Sequence, residues 1–342
     1  MDKPPSCRPT SWWQAFRYHF VPPSIFPATI GALVSWAVIH TFSLWYFFLV
    51  LVGVTINHIA LNMTDDYFDF KYSVDQLKPG EKNPYTGGSG TLTSGLIAPP
   101  DMFRAFTLLY LIVAAIGIYL GIVRGLLVVL FGSIGVFCSI CYTAPPIKFS
   151  HRCLGELGLL LNFGPIIGLG AYFVQAQQLS TESLLATLPC GIMLFSMIII
   201  NEIPDLEEDK QAGKITLVAR YGTQTGIKLY VGSWAATYLV IVLGAAFHVL
   251  SPFMVIVLLS FPLTYRSIKS LFTHYDDPRA MAPANLDMIR AHSVTSLLII
   301  SAYALEGLTN GADGMQLLGL LLVLLVFYVP AALSIFRVPK PE

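Results

Sequence analysis

Ten long apolar runs fill most of this chain, near residues 22–40, 43–63, 102–122, 125–142, 155–175, 184–203, 227–247, 250–268, 291–309 and 315–336. Runs of roughly 17–25 residues match the length at which a helix crosses about 30 Å of hydrocarbon. A backbone in that medium must satisfy its own hydrogen bonds, which makes each run a spanning helix. With 55% hydrophobic and 12% charged among 342 residues, the composition is that of an integral, multi-pass membrane protein. The expected fold class is all-α, a polytopic membrane helical bundle of nine to ten transmembrane helices, read as a single domain over 1–342. Pro204 and Pro262 leave two span ends open, because proline removes a backbone hydrogen bond. The first residues lack the short apolar core and small-residue cleavage site of a removable signal peptide. A net charge of zero argues against nucleic acid as a partner.

The charges test the span count. If the spans alternate, one face receives the N-terminus, the loops near 64–101, 143–154, 204–226 and 269–290, and the C-terminus. Of the chain's 20 Lys and Arg, every one except Arg124 falls on that face or at its helix ends, from Lys3, Arg8 and Arg17 to Arg337 and Lys340. A wrong count would scramble the alternation. By the positive-inside rule this face is cytoplasmic.

Two acidic clusters lie on the same face, each directly after an apolar run: Asp65-Asp66-Tyr67-Phe68-Asp69 and Asp205-Leu206-Glu207-Glu208-Asp209. Acidic groups are costly beside hydrocarbon and mark an ion or substrate site. Asn62 and Asp66 are four apart, as are Asp65 and Asp69, so each pair shares a helix face. Two carboxylates about 4 Å apart repel by roughly 1 kcal/mol in water and about 4 kcal/mol at an effective dielectric of 20. A divalent cation removes that repulsion, and Mg²⁺ prefers carboxylate, phosphate and water oxygens. Asn201, Asp205 and Asp209 repeat the spacing. An unbroken helix stacks all three; alternatively Pro204 opens a new helix whose first turn is capped by Glu207 and Glu208. A solvated acidic surface is the bland reading of either cluster alone.

Basic residues on this face, Lys148, Lys210, Lys214, Arg220 and Arg17, can neutralise a diphosphate that Mg²⁺ balances only in part, with Lys148 and Arg17 the foremost. Singly, each is explained by the positive-inside rule. Of the polar residues inside spans, Asn57, His58, Asn162 and His292, interhelical hydrogen bonding is the default, with Asn57 and Asn162 the ones able to face a substrate cavity. Cys138 and Cys141 share a helix face, but no second ligand pair stands near, so they read as small apolar residues. The Gly-rich stretch from Lys78 through Lys82 and Gly87-Gly88-Ser89-Gly90 reads as a linker or as a lid over the first acidic cluster.

These motifs resemble the UbiA superfamily of intramembrane prenyltransferases, most closely its 1,4-dihydroxy-2-naphthoate polyprenyltransferases. The likeness covers roughly residues 12–230. It rests on Asn62-Met63-Thr64-Asp65-Asp66-Tyr67-Phe68-Asp69 with Asp75 beyond, on Gly87-Gly88-Ser89-Gly90, on Tyr142-Thr143-Ala144-Pro145-Pro146, on Gly155-Glu156 and Phe163-Gly164-Pro165, and on the series from Asn201 to Asp209, Lys214 and Thr216. Two departures stand out: the family's first motif has Asn where this chain has Asp65, and the family has nine spans where the runs number ten.

The resemblance implies helices around a central cavity, with an isoprenoid tail toward lipid and a diphosphate at the cytoplasmic cap. It implies that Asp66, Asp69, Asp205 and Asp209 hold Mg²⁺ on the diphosphate, with Asp65 as an extra ligand and Asn62 and Asn201 assisting. Lys148 then stabilises the leaving group, the Tyr142 ring stabilises an allylic cation, and Arg17, Asn162 and Lys214 contact substrate. The implied partners are a polyprenyl diphosphate, an aromatic acceptor and the lipid bilayer of a bacterial inner membrane; the sequence sets no oligomeric state. A terpene cyclase of the same fold is the alternative within chemistry. A secondary transporter is the alternative outside it, although a transporter places its acids near the bilayer midplane.

Overall fold

The computed structural model describes residues 9–74, 83 and 85–335. Lys3, Cys7, Arg8, Asp75, Lys78, Lys82, Arg337 and Lys340, with the first part of the Gly-rich stretch, lie outside the described residues. Regular structure among the described residues is helical, and a single isolated bridge joins Arg152 to Ile215 in parallel. The helices are α1 (Pro9–Phe16), α2 (Pro22–Ile39), α3 (Leu44–Lys71), α4 (Pro99–Arg124), α5 (Leu126–Cys141), α6 (Gly155–Ala176), α7 (Thr181–Gln211), α8 (Leu217–Tyr221), α9 (Thr223–Ala246), α10 (Pro252–His274), α11 (Ala282–Thr309) and α12 (Gly314–Ile335).

Each of the ten apolar runs is a helix. Among the described residues nine are long and apolar enough to cross a membrane, and α5 is the shorter tenth. Its 16 residues reach about 24 Å at 1.5 Å per residue, less than a typical hydrocarbon core. The turn from α4 into α5 pivots on Gly125 at φ 114°, a conformation that glycine adopts without steric cost. Beside it stands Arg124, the one cation that the charge alternation leaves on the opposite face. Its guanidinium donates to the Val174 and Gln175 carbonyls at 2.6 and 2.7 Å, which satisfies the carbonyls orphaned where α6 ends.

Burial separates inner from outer helices. Pro22 and Pro23 start α2, where their missing N–H groups cost nothing, and nearly all of α2 is then buried against α6, α7 and α11. By contrast α4 and α12 expose Leu108, Leu111, Ile122, Leu322 and Val326, as lipid-facing helices do. Small residues let the inner backbones approach: a Cβ at Gly31 would collide with the Gly168 carbonyl, and one at Gly191 with the Leu160 carbonyl. Pro165 lies within a π-helical turn, Asn162–Ile166, midway along α6. The result is an inner frame of α2, α6, α7 and α11 around which α3 and α7 bring their polar C-terminal ends to one place.

Candidate functional site

Both acidic helices run past their apolar sequence. α3 continues to Lys71, and α7 continues through Pro204 to Gln211 without a break. No helix starts at Pro204, so Glu207 and Glu208 are not first-turn caps; Glu207 pairs with Lys210 at 3.6 Å on the surface. The two helices also end alike. Gly213, at φ 71°, follows the α7 cap, so Lys214 N–H donates to the Asp209 carbonyl at 2.8 Å and Gly213 N–H to the Lys210 carbonyl at 3.2 Å. Ser73, at φ 56°, does the same for α3: Val74 N–H donates to the Asp69 carbonyl at 2.9 Å and Ser73 N–H to the Phe70 carbonyl at 3.2 Å. This double hydrogen bond with a left-handed residue is the Schellman ending. It turns the chain back over the helix and brings the Lys214 side chain over the last acid. Asp69 and Asp209 sit in the last turn, where the helix dipole is negative and a carboxylate is disfavoured by about 0.3–1 kcal/mol. Carboxylates held at that end need cations.

The acids meet at a polar cavity of about 100 Å³ whose lining includes Arg17, Asp65, Asp69, Tyr142, Asn201, Glu202, Asp205, Glu208, Asp209 and Lys214. Lys214 Nζ bridges the two helices, 3.2 Å from Asp69 Oδ2 and 3.9 Å from Asp209 Oδ1. Arg17 Nη1 lies 3.6 Å from both Asp65 Oδ2 and Asp66 Oδ1. Burial pulls the Lys214 ammonium toward neutrality, but the Asp69, Asp209 and Asp65 carboxylates outweigh it and hold its pKa well above the usual lysine value. Tyr142 is pushed well above the ordinary phenol value by burial and then by Asp65, so its ring faces the cavity as a neutral phenol. His151, close by, is lowered to about 4 by burial and by Lys214 and Lys148, and stays uncharged at neutral pH.

Loops hold these groups in place. The described part of the Gly-rich loop ties both acidic helices: Ser89 N–H donates to Asp66 Oδ1 at 3.0 Å, and Thr86 Oγ1 donates to Asp205 Oδ1 at 2.8 Å. Gln14 of α1 donates to the Ser89 carbonyl at 2.8 Å, so this loop lies between α1 and the acids. Ser150 fixes Tyr142 by donating from both N–H and Oγ to its carbonyl, at 2.9 and 2.8 Å. Gly155 leaves room for the ring, since a Cβ there would lie 2.9 Å from Tyr142 Cε2.

Of the residues singled out from sequence, Arg17, Asp65, Asp69, Tyr142, Asn201, Asp205, Asp209 and Lys214 line the one cavity, and Asp66 joins them through Arg17. Asn62 stands behind it: its Nδ2 donates to the Phe16 carbonyl at 3.1 Å and anchors the turn that carries Arg17 at φ 46°. Lys148 is not part of the cavity lining; its Nζ lies 3.2 Å from the centroid of the Tyr72 ring. Asn162 sits deeper, in the π turn of α6, fully buried with Oδ1 lacking a hydrogen-bond partner among the described residues. Asn57 spends its Nδ2 on Ser139 at 2.9 Å. The sequence gives no site role to Thr86, Glu202 or Asn285, and it reads Glu208, which lines the cavity, as a helix cap. Glu156 and Glu202 are buried and accept from the N–H groups of Leu217 and Val218 at 2.6 and 3.3 Å, which seats α8 under the cavity. Glu156 and Glu202 were visible within the motifs; Asn285 lies beyond the stretch that carries them.

Among the described residues, no three Asp, Glu, His or Cys converge closely enough to form a metal cage. The donor set nevertheless fits a hard divalent cation. Mg²⁺ is held by one or two carboxylates together with substrate phosphates and water rather than by all-protein cages. Asp65 Oδ1 is buried with no hydrogen-bond partner among the described residues, an oxygen that a bound cation would satisfy.

A membrane-embedded helical bundle whose polar cavity is walled by carboxylates of two helices, with a lysine and an arginine among them, defines the class. The sequence matches the UbiA prenyltransferase family over residues 24–290, and the chain belongs to that family; it is a prenyltransferase. It is 26% identical over 276 residues to the 1,4-dihydroxy-2-naphthoate octaprenyltransferase of Bacillus subtilis, covering 80% of this chain and 85% of that protein. It is 23% identical to the 2-carboxy-1,4-naphthoquinone phytyltransferase of Synechocystis, over 89% of this chain and 97% of that one. Among solved structures, a UbiA homolog from Archaeoglobus fulgidus bound to GPP and Mg²⁺ superposes with a TM-score of 0.65 at 14% identity, covering 86% of this chain and 99% of the other. That likeness establishes the shared fold.

Proposed function

We infer that the protein transfers a polyprenyl group from an allylic diphosphate to an aromatic acceptor, with 1,4-dihydroxy-2-naphthoate as acceptor in menaquinone biosynthesis. The observation that carries this reading is the meeting of Asp65 and Asp69 with Asp205 and Asp209 across one cavity, with Arg17 and Lys214 between them. The naphthoate acceptor draws support from the names of the Bacillus and Synechocystis relatives. The cavity opens on the face that the positive-inside rule makes cytoplasmic.

Asp66, Asp69, Asp205 and Asp209, with Asp65 beside them, would hold Mg²⁺, which when bound supplies Lewis-acid neutralisation of diphosphate charge. Arg17 and Lys214 present fixed cations to the same oxygens, and the charge that builds on the leaving group as the allylic C–O bond ionises falls to them. Lys148 faces Tyr72, so the leaving-group role expected of it passes to Lys214. The neutral Tyr142 ring stands at the cavity wall, where its face stabilises the allylic cation. The acceptor carbon attacks that cation. Its proton leaves to a carboxylate or to the released diphosphate; on a naphthoate acceptor the carboxylate then leaves as CO₂ and a proton takes its place on the ring carbon.

The test uses purified protein in detergent with Mg²⁺, a radiolabelled polyprenyl diphosphate, a panel of aromatic acceptors and an EDTA control. The expected product is a prenylated naphthalene that disappears with EDTA. Diphosphate release without an aromatic adduct would replace the acceptor reading with a cyclase; absence of any ionisation would remove the reading altogether.

A further inference from the structure

Pro204 sits inside α7 without breaking it. A proline in a helix leaves the carbonyl four residues earlier without its donor, here that of Ile200, and in a membrane helix another group must supply one. Asn285 of α11, 1% exposed, does so: its Nδ2 donates to the Ile200 carbonyl at 3.3 Å. The same Nδ2 donates to Asn201 Oδ1 at 2.8 Å. On its other side, Asn285 Oδ1 accepts from Asn83 Nδ2 at 3.0 Å.

The orientation of all three amides follows from backbone groups that have only one possible role. Tyr85 N–H can only donate, and it bonds Asn83 Oδ1 at 3.1 Å; the Pro278 carbonyl can only accept, and it takes Asn83 Nδ2 at 3.1 Å. Asn83 therefore presents a donor to Asn285, whose Oδ1 must face it. The Ile200 carbonyl, again only an acceptor, fixes Asn285 Nδ2 on the opposite side. Asn201 must then turn Oδ1 toward Asn285, and its Nδ2 is left without a hydrogen-bond partner among the described residues while the side chain lines the cavity.

We propose that Asn285 is a positioning residue that locks the Asn201 amide so that its Nδ2 donates to an anionic diphosphate oxygen, and that Asn201 is therefore a diphosphate donor and not a metal ligand. An amide ligates Mg²⁺ through its oxygen, and that oxygen is already bonded. Through Asn83 the same network joins the donor to the loop that carries Thr86 and Ser89 onto the acids. The proposal rests on the diphosphate reading above.

The test is calorimetric titration of the full chain in detergent with inorganic pyrophosphate, with and without Mg²⁺. It is backed by separate kcat and KM values for geranylgeranyl diphosphate. Asn201→Asp keeps Oδ1 for Asn285 but replaces the donor by a carboxylate. Loss of a hydrogen bond to a charged group should weaken pyrophosphate binding roughly ten- to hundredfold. In kinetics, KM rises and most of kcat is kept. Asn285→Leu should weaken binding in the wild-type background and have no further effect in Asn201→Ala, a non-additivity that a merely structural role would not give. Unchanged or tighter Mg²⁺-pyrophosphate binding by Asn201→Asp, as for an oxygen ligand, overturns the proposal, and additive losses overturn the positioning role. Asn201→Asp carries the test even where Asn285→Leu does not fold. If the wild-type protein binds no pyrophosphate, the diphosphate reading falls and the proposal with it; if the wild type binds and Asn201→Asp binds equally, the proposal falls alone.

Discussion

Lys214 is the residue on which the site's electrostatics turn. Its ammonium lies between Asp69 and Asp209, both nearly buried, and their charges keep it protonated far above neutral pH. Removing one member of a buried ion pair costs about 3–5 kcal/mol because the other charges stay behind. Lys214→Met is therefore expected to lower the thermal midpoint in detergent and to abolish most turnover, with added Mg²⁺ restoring part of the midpoint but little of the rate. A midpoint unmoved by the substitution would remove Lys214 from this role. Asp65→Asn should do the reverse for stability. It relieves repulsion beside Asp66 and Asp69 and keeps the shape, so the midpoint rises while activity falls, as checked by thermal unfolding and product formation on one preparation. The acids were legible at this scale because carboxylates beside hydrocarbon have few innocent reasons to be there. Which lysine serves them was less so. The positive-inside rule scatters lysines along the whole face: of the two cations that the sequence puts foremost, Arg17 stands beside Asp65 and Asp66, whereas Lys148 covers Tyr72 at 3.2 Å.

The ends of α3 and α7 carry that distinction. Gly213 turns the chain so that Lys214 reaches back over Asp209; Gly213→Ala places a Cβ at φ 71° and is expected to cost about 1–2 kcal/mol. KM for the diphosphate should rise, because the strain is relieved by unwinding the turn that aims Lys214. Steady-state kinetics beside a melting curve would reveal it, and a loss of stability with unchanged KM would show that the turn does not aim the lysine. Ser73 holds the matching place on α3 at φ 56° without glycine's freedom, so Ser73→Gly should raise the melting midpoint modestly. Apolar length locates the ten long helices but not the short α1 and α8, and it places the ends of α3 and α7 near 63 and 203, where the apolar residues stop. The helices run on to Lys71 and Gln211 because their polar last turns are held by tertiary partners. Whether Pro204 ended a helix could not be read locally either. The answer lay 81 residues further on, in the Asn285 amide that takes up the Ile200 carbonyl.

At the scale of the whole molecule, the site joins parts of the chain that are distant in sequence. Asp65 and Asp69 come from α3, Asp205 and Asp209 from α7, and the cavity between them gathers these carboxylates with Arg17 and Lys214 in its lining. Carboxylates gathered this closely repel one another, and a bound divalent cation offsets that repulsion. A ligand that binds only the folded state stabilises it by RT ln(1 + [L]/Kd), about 2.7 kcal/mol at a hundred times Kd. Mg²⁺ and inorganic pyrophosphate together are therefore expected to raise the thermal midpoint well beyond the sum of their separate effects. Alone, the cation lacks its phosphate ligands and the anion meets the carboxylates with no metal between them. EDTA should return the midpoint to its starting value, and Asp69→Ala combined with Asp209→Ala should eliminate the synergy while leaving a folded protein that still melts cooperatively. Equal shifts from pyrophosphate with and without Mg²⁺ would mean that Arg17 and Lys214 alone hold the anion, and the carboxylates would then need another purpose.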